Sequence, residues 1–84
     1  MNTYLYNITT HYENSEMTYS TNDVVDAVDT ALAMLVADKT TAVEMVDGYT
    51  GELLMYRTAD GEHYITDDML LMFMGYAVAL MLGL

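Results

Sequence analysis

Two histidines and two serines are the side chains of this 84-residue sequence that best suit general acid–base or nucleophilic catalysis. His11 lies on the polar side of an alternating segment, and His63 follows a turn. Neither Ser15 nor Ser20 has the strand–turn–helix setting that exposes a hydrolase nucleophile. Because a catalytic triad requires several geometric conditions at once, we interpret both histidines as surface residues. The sequence predicts a non-enzymatic protein without a cofactor.

Metal and phosphate binding are the next chemistries to consider. Glu62, His63, Asp67 and Asp68 lie within seven residues and offer oxygen and imidazole ligands. Their spacing matches no zinc motif and no EF-hand loop. The glycines of segment 48–51 lie in a predicted hairpin rather than before a helix, where a phosphate would bind. We therefore predict neither a metal site nor a phosphate site.

The acidic residues are the strongest feature of the sequence. Thirteen Asp and Glu against Lys39 and Arg57 give a formal net charge of −11. Such a negative charge excludes direct nucleic-acid binding, which needs many cations. It also argues against binding to anionic lipid head groups. Asp23, Asp26 and Asp29 recur every three residues along a predicted helix. Without cysteine, the chain has neither a disulfide framework nor a thiolate zinc site.

The surplus of negative charge is larger than solubility requires, because a magnitude of about 2–8 suffices for a small domain. A field of this strength suits long-range steering toward a basic partner. Its carboxylates would pair with the Lys and Arg that normally hold phosphate, and Tyr49 at a turn is a candidate contact aromatic. A solvated acidic face and halophilic adaptation are the alternatives. The candidate partner-binding residues are Asp23, Asp26, Asp29, Glu13, Glu16, Asp47, Glu52 and Tyr49.

Alternation and helical spacing predict the elements of the first half of the chain. Segment 3–12 alternates apolar and polar residues, and after a polar turn the alternation resumes over 17–19, which predicts a β-hairpin. Several N-cap candidates in 20–23 precede a helix of about four turns that ends near Asp38. Its apolar stripe consists of Val24, Val25, Val28, Leu32, Leu35 and Val36.

The second half predicts a meander followed by a helix. Strands are expected over 40–47, 53–58 and, more briefly, 63–65, separated by glycine-containing turns. Thr66 is the predicted cap of a C-terminal helix. The fold class is therefore α+β, a single domain over 1–84 with an antiparallel sheet of four to five strands and two helices in the order ββαββ(β)α. The sequence leaves the strand order open.

The C-terminal helix, predicted over 67–84, is apolar on all sides. Its sixteen uncharged residues from Met69 onward span about 24 Å, short of a bilayer core, and no basic residue flanks them. A tail anchor is therefore less favoured than a helix that forms an oligomer. One sheet covers only part of such a helix, so we predict a homodimer. The expected interface residues are Met72, Gly75, Tyr76, Ala79 and Gly83.

The opening Met1-Asn-Thr-Tyr-Leu5 and the segment Val25-Asp-Ala-Val-Asp29 resemble a type I-directed member of the small phage-encoded anti-CRISPR proteins. The resemblance covers the first third of the chain. Members of this group are compact, often acidic and mostly non-enzymatic, and they share no common fold. The resemblance implies an inhibitor that binds a Cas protein or surveillance complex and blocks access of nucleic acid.

The predicted function is thus a non-enzymatic acidic inhibitor of a nucleic-acid-handling host complex. Its expected partner is a basic nucleic-acid-binding protein or Cas complex. The alternative is a structural or assembly protein that self-associates, or sits at a membrane, through its C-terminal helix. The N-terminus has neither a basic region nor an apolar run typical of a secretory signal. We therefore expect a cytoplasmic location, in the host bacterium if a phage encodes the protein.

Overall fold

The computed structural model describes residues 3–37 and 39–83, which form five strands and two helices in the predicted order ββαββ(β)α. The first helix ends at Leu35, before the predicted end near Asp38. Asp38 itself lies outside the described residues. The elements are β1 (Tyr6–His11), β2 (Glu16–Thr21), α1 (Val24–Leu35), β3 (Ala42–Asp47), β4 (Leu53–Thr58), β5 (His63–Ile65) and α2 (Asp67–Met81).

All five strands form one antiparallel sheet in the order β2-β1-β3-β4-β5. The hairpin β1–β2 and the meander β3–β5 are joined at the centre of the sheet, where β1 pairs with β3. Helix α1 connects the edge strand β2 to β3 and packs against β1 and β3 on the way. The pairing of β1 with β3 settles the strand order that local sequence patterns leave open.

The predicted alternation along β1 separates the two faces of the sheet. Ile8 and Thr10 are buried on the face that carries the helices. Thr9 lies on the open face, where its hydroxyl is 3.0 Å from that of Thr18 on β2. The open face is polar along β1 and β2 and carries the stacked rings of Tyr56 and Tyr64 on β4 and β5, whereas the covered face holds the core. The core residues are Ile8, Ala27, Val28, Ala31, Val43, Met45, Met55 and Met69.

The buried side of α1 differs from the predicted stripe. Its fully buried residues are Ala27, Val28 and Ala31, whereas Val25 is 58% exposed and Leu32 lies at the boundary of exposure. Two small side chains thus share the contact with the sheet with Val28, and Val24 and Leu35 pack against the same core. Val25 lies on the flank of α1 that faces α2.

Both helices begin where the sequence predicts. The backbone N–H of Val25 donates to Asp23 Oδ1 over 2.9 Å, and that of Met69 donates to Thr66 Oγ1 over 3.3 Å. These caps satisfy N–H groups that have no partner within the helix. Helix α2 ends at Met81, before the end of the predicted range 67–84. Gly83 follows it in the left-handed region, with φ 74°.

The turn between β3 and β4 is held by its own side chains and by the N-terminal segment. Asp47 Oδ1 accepts from the backbone N–H of Tyr49 over 2.7 Å and of Thr50 over 3.1 Å. The N–H of Gly48 donates to the carbonyl of Leu5 over 3.0 Å. A Cβ atom at Gly48 would lie 1.9 Å from the carbonyl oxygen of Tyr4, so this position requires glycine.

Candidate partner-binding surfaces

The row of Asp23, Asp26 and Asp29 along α1, here called the α1 acidic row, also has structural contacts. Asp23 caps the helix. The Tyr19 hydroxyl on β2 donates to Asp26 Oδ2 over 2.6 Å, and the Tyr76 hydroxyl on α2 donates to Asp29 Oδ1 over 2.6 Å. These two bonds link α1 to an element on each side. The row therefore carries charge and helps to position α1.

The tyrosine hydroxyls that bond to this row have altered acidity. The pKa of Tyr76 is raised above its ordinary value of 10.0, first by its hydrogen bond to Asp29, then by desolvation and by the charge of that carboxylate. The pKa of Tyr19 is raised likewise, first by its bond to Asp26, then by desolvation and by the charges of Asp26 and Asp23. Ionising either hydroxyl removes a donor and places a second negative charge beside a carboxylate.

This arrangement predicts a loss of stability at alkaline pH. Because the folded-state pKa values lie above the unfolded value, the stabilisation is fully present below about pH 10 and is lost as the pH rises through the folded pKa values. We expect the urea midpoint of the native protein to fall more steeply above about pH 10 than that of the double variant Tyr19→Phe, Tyr76→Phe. Tyr64→Phe is the control, since its hydroxyl has no hydrogen-bond partner among the described residues, and it should keep the native slope. Equal slopes for the native protein and the double variant would contradict the prediction.

Two of the other predicted carboxylates, Glu13 and Glu16, lie near the turn of the first hairpin and are exposed. Glu16 Oε2 is 3.3 Å from His11 Nδ1, and Glu44 Oε1 is 2.9 Å from His11 Nε2. His11 therefore lies between two carboxylates on the open face of the sheet, and Glu44 was not among the predicted partner-binding residues. The predicted residue Glu52 is exposed elsewhere, just before β4.

The predicted residues Asp47 and Tyr49 belong to the turn between β3 and β4. Asp47 uses one carboxylate oxygen to hold the turn, as described above, and is only half-exposed. Tyr49 is exposed, but its hydroxyl donates to the carbonyl of Thr3 over 3.2 Å. Both side chains thus have a local structural role, and the ring of Tyr49 remains available for contact.

The negative charge of the described residues is largely uncompensated by ion pairs. Within 3–37 and 39–83, the pairs of a carboxylate and a basic side chain within 4 Å both involve His11. Lys39 and Arg57 form no such pair there. Among the described residues, the charges of the carboxylates are therefore not offset by Lys or Arg.

The residues considered for catalysis and metal binding are not brought together. His63 Nδ1 is 3.1 Å from the carbonyl of Gly61, and the Ser20 hydroxyl donates to Asn7 Oδ1 over 2.6 Å. In the part of the chain that the structure describes, no three His, Asp or Glu side chains are grouped so as to hold a metal ion.

Four of the five predicted dimer residues line a groove between the two helices, here called the α1/α2 groove. They are Met72, Gly75, Tyr76 and Ala79, whereas Gly83 follows the end of α2. The groove has a volume of about 360 Å³ and apolar walls. These residues thus face α1 in the same chain. The remaining lining residues are Val24, Val25, Val28, Leu71 and Leu80.

Another side of α2 is apolar and uncovered. It consists of Leu70, Met74, Val78 and Met81, which follow each other at helical spacing and are here called the outer face of α2. Their exposures are 43%, 55%, 54% and 85%. Among the described residues of α2, only Met69 is buried. No helix in 3–37 or 39–83 has the length and apolar character needed to cross a membrane.

Sequence analysis missed the contacts that join these features. Tyr76 and Asp29 are 47 residues apart, and no local pattern pairs residues at that separation. The pairing of His11 with Glu44 depends on β1 lying beside β3, which follows only from the strand order. Helical spacing alone does identify Val25 and Val28 as neighbours, but not the helix that faces them.

Comparison of the chain with known proteins found no matching family model, curated protein or solved structure. The fold places the chain in the class of antiparallel α+β domains with helices on one face of the sheet. Inferences about function therefore depend on the acidic residues, the α1/α2 groove and the outer face of α2.

Proposed function

We propose that this protein is a non-enzymatic acidic inhibitor that binds the basic nucleic-acid-binding surface of a host complex, such as a CRISPR surveillance or effector complex. The observation that supports this function is the uncompensated charge of the described carboxylates, which form no ion pair with Lys or Arg. Such a surface offers anionic oxygens to the cations that otherwise hold phosphate. It also accelerates encounter with a basic partner.

The α1 acidic row is the part of this surface best prepared for binding. Asp26 and Asp29 each use one oxygen for a tyrosine hydroxyl. Their other oxygens have no hydrogen-bond partner among the described residues and can accept from Lys or Arg. Because the tyrosines already hold both carboxylates in place, less side-chain entropy is lost on binding.

Neutral isosteres test the role of the row without disturbing its contacts. Asparagine at 23, 26 and 29 keeps an oxygen that can cap α1 or accept from tyrosine, but removes three charges. The measurement is competition with labelled target DNA for a purified CRISPR surveillance complex. We expect the triple Asn variant to inhibit about tenfold more weakly or worse. The inhibition constant of the native protein should also rise with salt, because screening shortens the field to about 10 Å at 0.1 M.

A second triple variant separates a local contact from the overall charge. Asp60→Asn, Glu62→Gln and Asp68→Asn remove the same number of exposed charges away from the α1 acidic row. Inhibition by this control should change by less than about threefold at the same salt concentration. Inhibition that is indifferent to both triple variants and to salt would show that acidic recognition is wrong.

Self-association is a second candidate, supported by the outer face of α2. Its four apolar residues are exposed in a single chain, and no charged residue occurs between Met69 and Leu84. A second copy can therefore cover this face without bringing carboxylates into contact. We propose a two-fold dimer through the outer face, the commonest closed assembly.

A further inference from the structure

The α1/α2 groove has room for side chains that the chain itself does not supply. A Cβ atom at Gly75 would have nothing within 4 Å. Val25 and Leu80 on its walls are 58% and 60% exposed. Wall residues 71–80 of α2 rise about 14 Å, which equals about two and a half turns of a facing helix.

The two rims of the groove differ in charge. Asp29 lies at the α1 rim, because it follows Val28 and its carboxylate holds the hydroxyl of Tyr76, which lines the groove. Asp26, one turn back on the same helix, bonds to Tyr19 on β2 and therefore lies on the side of α1 away from α2. The α2 rim carries no charge between residues 69 and 83. An occupant that fits both rims is apolar along one side and cationic along the side next to α1.

We propose that the α1/α2 groove binds an amphipathic helix of the partner, with its apolar side chains between the helices and a Lys or Arg against Asp29. This inference rests on the proposed function, because the partner supplies the cations. A second copy fits less well, since Lys39 and Arg57 are the cations of this chain and neither lies in α1 or α2. An amphipathic helix that lays its apolar side into a hydrophobic groove is a recurring mode of recognition.

The test uses a fluorescent 18-residue peptide with Leu at i, i+3, i+4 and i+7 and Lys elsewhere. A peptide of the same composition in shuffled order lacks an apolar side. In fluorescence anisotropy at low salt, we expect the ordered peptide to bind at least about tenfold more tightly than the shuffled one. Gly75→Leu, which fills the groove, should weaken binding at least about tenfold.

Ala77→Leu is the matched control, because it adds the same side chain to an exposed position of α2 that does not line the groove. It should change the affinity by less than about twofold. Circular dichroism of both variants establishes that they fold. Asp29→Asn, which keeps the acceptor for Tyr76, should also weaken peptide binding.

Results that overturn the groove proposal differ from results that overturn the proposed function. Equal effects of Gly75→Leu and Ala77→Leu would overturn it, even if the triple Asn variant still fails to inhibit the surveillance complex. Sensitivity to Gly75→Leu without sensitivity to Asp29→Asn would show an apolar site without selection for cations. If the ordered peptide binds as proposed but the native protein does not inhibit the complex, the proposed function fails and the groove remains.

Discussion

Gly48→Ala is expected to destabilise the protein by about 3 kcal/mol, at the upper end of the usual cost of overpacking. The added Cβ atom would lie 1.9 Å from the carbonyl oxygen of Tyr4 and 2.5 Å from Asn7 Nδ2. Because the first of these is a backbone atom, the N-terminal segment must move away from the turn. The hydrogen bond from the Gly48 N–H to Leu5 would then be strained. In a domain of this size such a loss lowers Tm by more than about 10 °C, measurable by calorimetry.

Gly75→Ala is the control for this prediction. It makes the same change within α2, where nothing lies within 4 Å of the added atom. Alanine is the better helix former, so stability should rise by about 0.5–1 kcal/mol. The two glycine variants should thus shift Tm in opposite directions. A Gly48→Ala protein that unfolds at the native Tm would contradict the described approach of Tyr4.

The second large effect is expected on the oligomeric state, when the outer face of α2 is made polar. Light scattering at micromolar concentration should give a mass of about 19 kDa for a two-fold dimer, twice the 9.4 kDa of the chain. The double variant Met74→Gln, Val78→Gln should give the mass of the single chain. Both positions are more than half exposed, so these polar side chains interrupt the outer face with little cost to folding.

A matched variant on the open face of the sheet tests whether the effect is specific. Thr18 is exposed on β2, which is the edge strand opposite to β5, the strand that α2 follows. The variant Thr18→Gln should leave the dimer intact. A monodisperse monomer of the native protein at the same concentration would rule out the dimer. The outer face would then need a different partner.

Most of the fold can be predicted from local patterns. Alternation identifies β1 through Tyr6 and Ile8, and Thr66 marks the start of α2. Such signals work because a strand or helix exposes one side to water and buries the other. The strand order is not encoded locally, since the pairing of β1 with β3 joins residues more than 30 positions apart, such as His11 and Ala42.

The stripe predicted for α1 was right for Val24, Val28 and Leu35, which are buried or packed against the core. It was wrong for Val25 and Val36, which are exposed, because side-chain size was taken as the sign of burial. Alanine carries little weight in such a pattern, yet Ala27 and Ala31 are fully buried against the sheet. The larger Val25 lies on the flank. The orientation of α1 that buries the alanines also places Val25 in one wall of the α1/α2 groove.

The candidate sites were predicted in part. The acidic residues are evident from composition, and most of those proposed for binding are exposed. Their hydrogen bonds to Tyr19 and Tyr76 are tertiary contacts without a sequence signal. The apolar character of α2 is also evident, but its packing against α1 decides which side faces the groove. Met72 and Gly75 therefore lie in the groove rather than on the outer face.

Because α2 is buried only slightly against the rest of the domain, the stability of the fold depends on the association of the chain with other molecules. Met69 is the buried residue of this helix in the described part of the chain, so α2 contributes little core and leaves much apolar surface in water. Any molecule that binds the folded chain and not the unfolded one stabilises it by mass action, by about 2.7 kcal/mol at a hundredfold excess over Kd. For a dimer the second copy is that molecule. The midpoint of unfolding then becomes a property of concentration as well as of sequence.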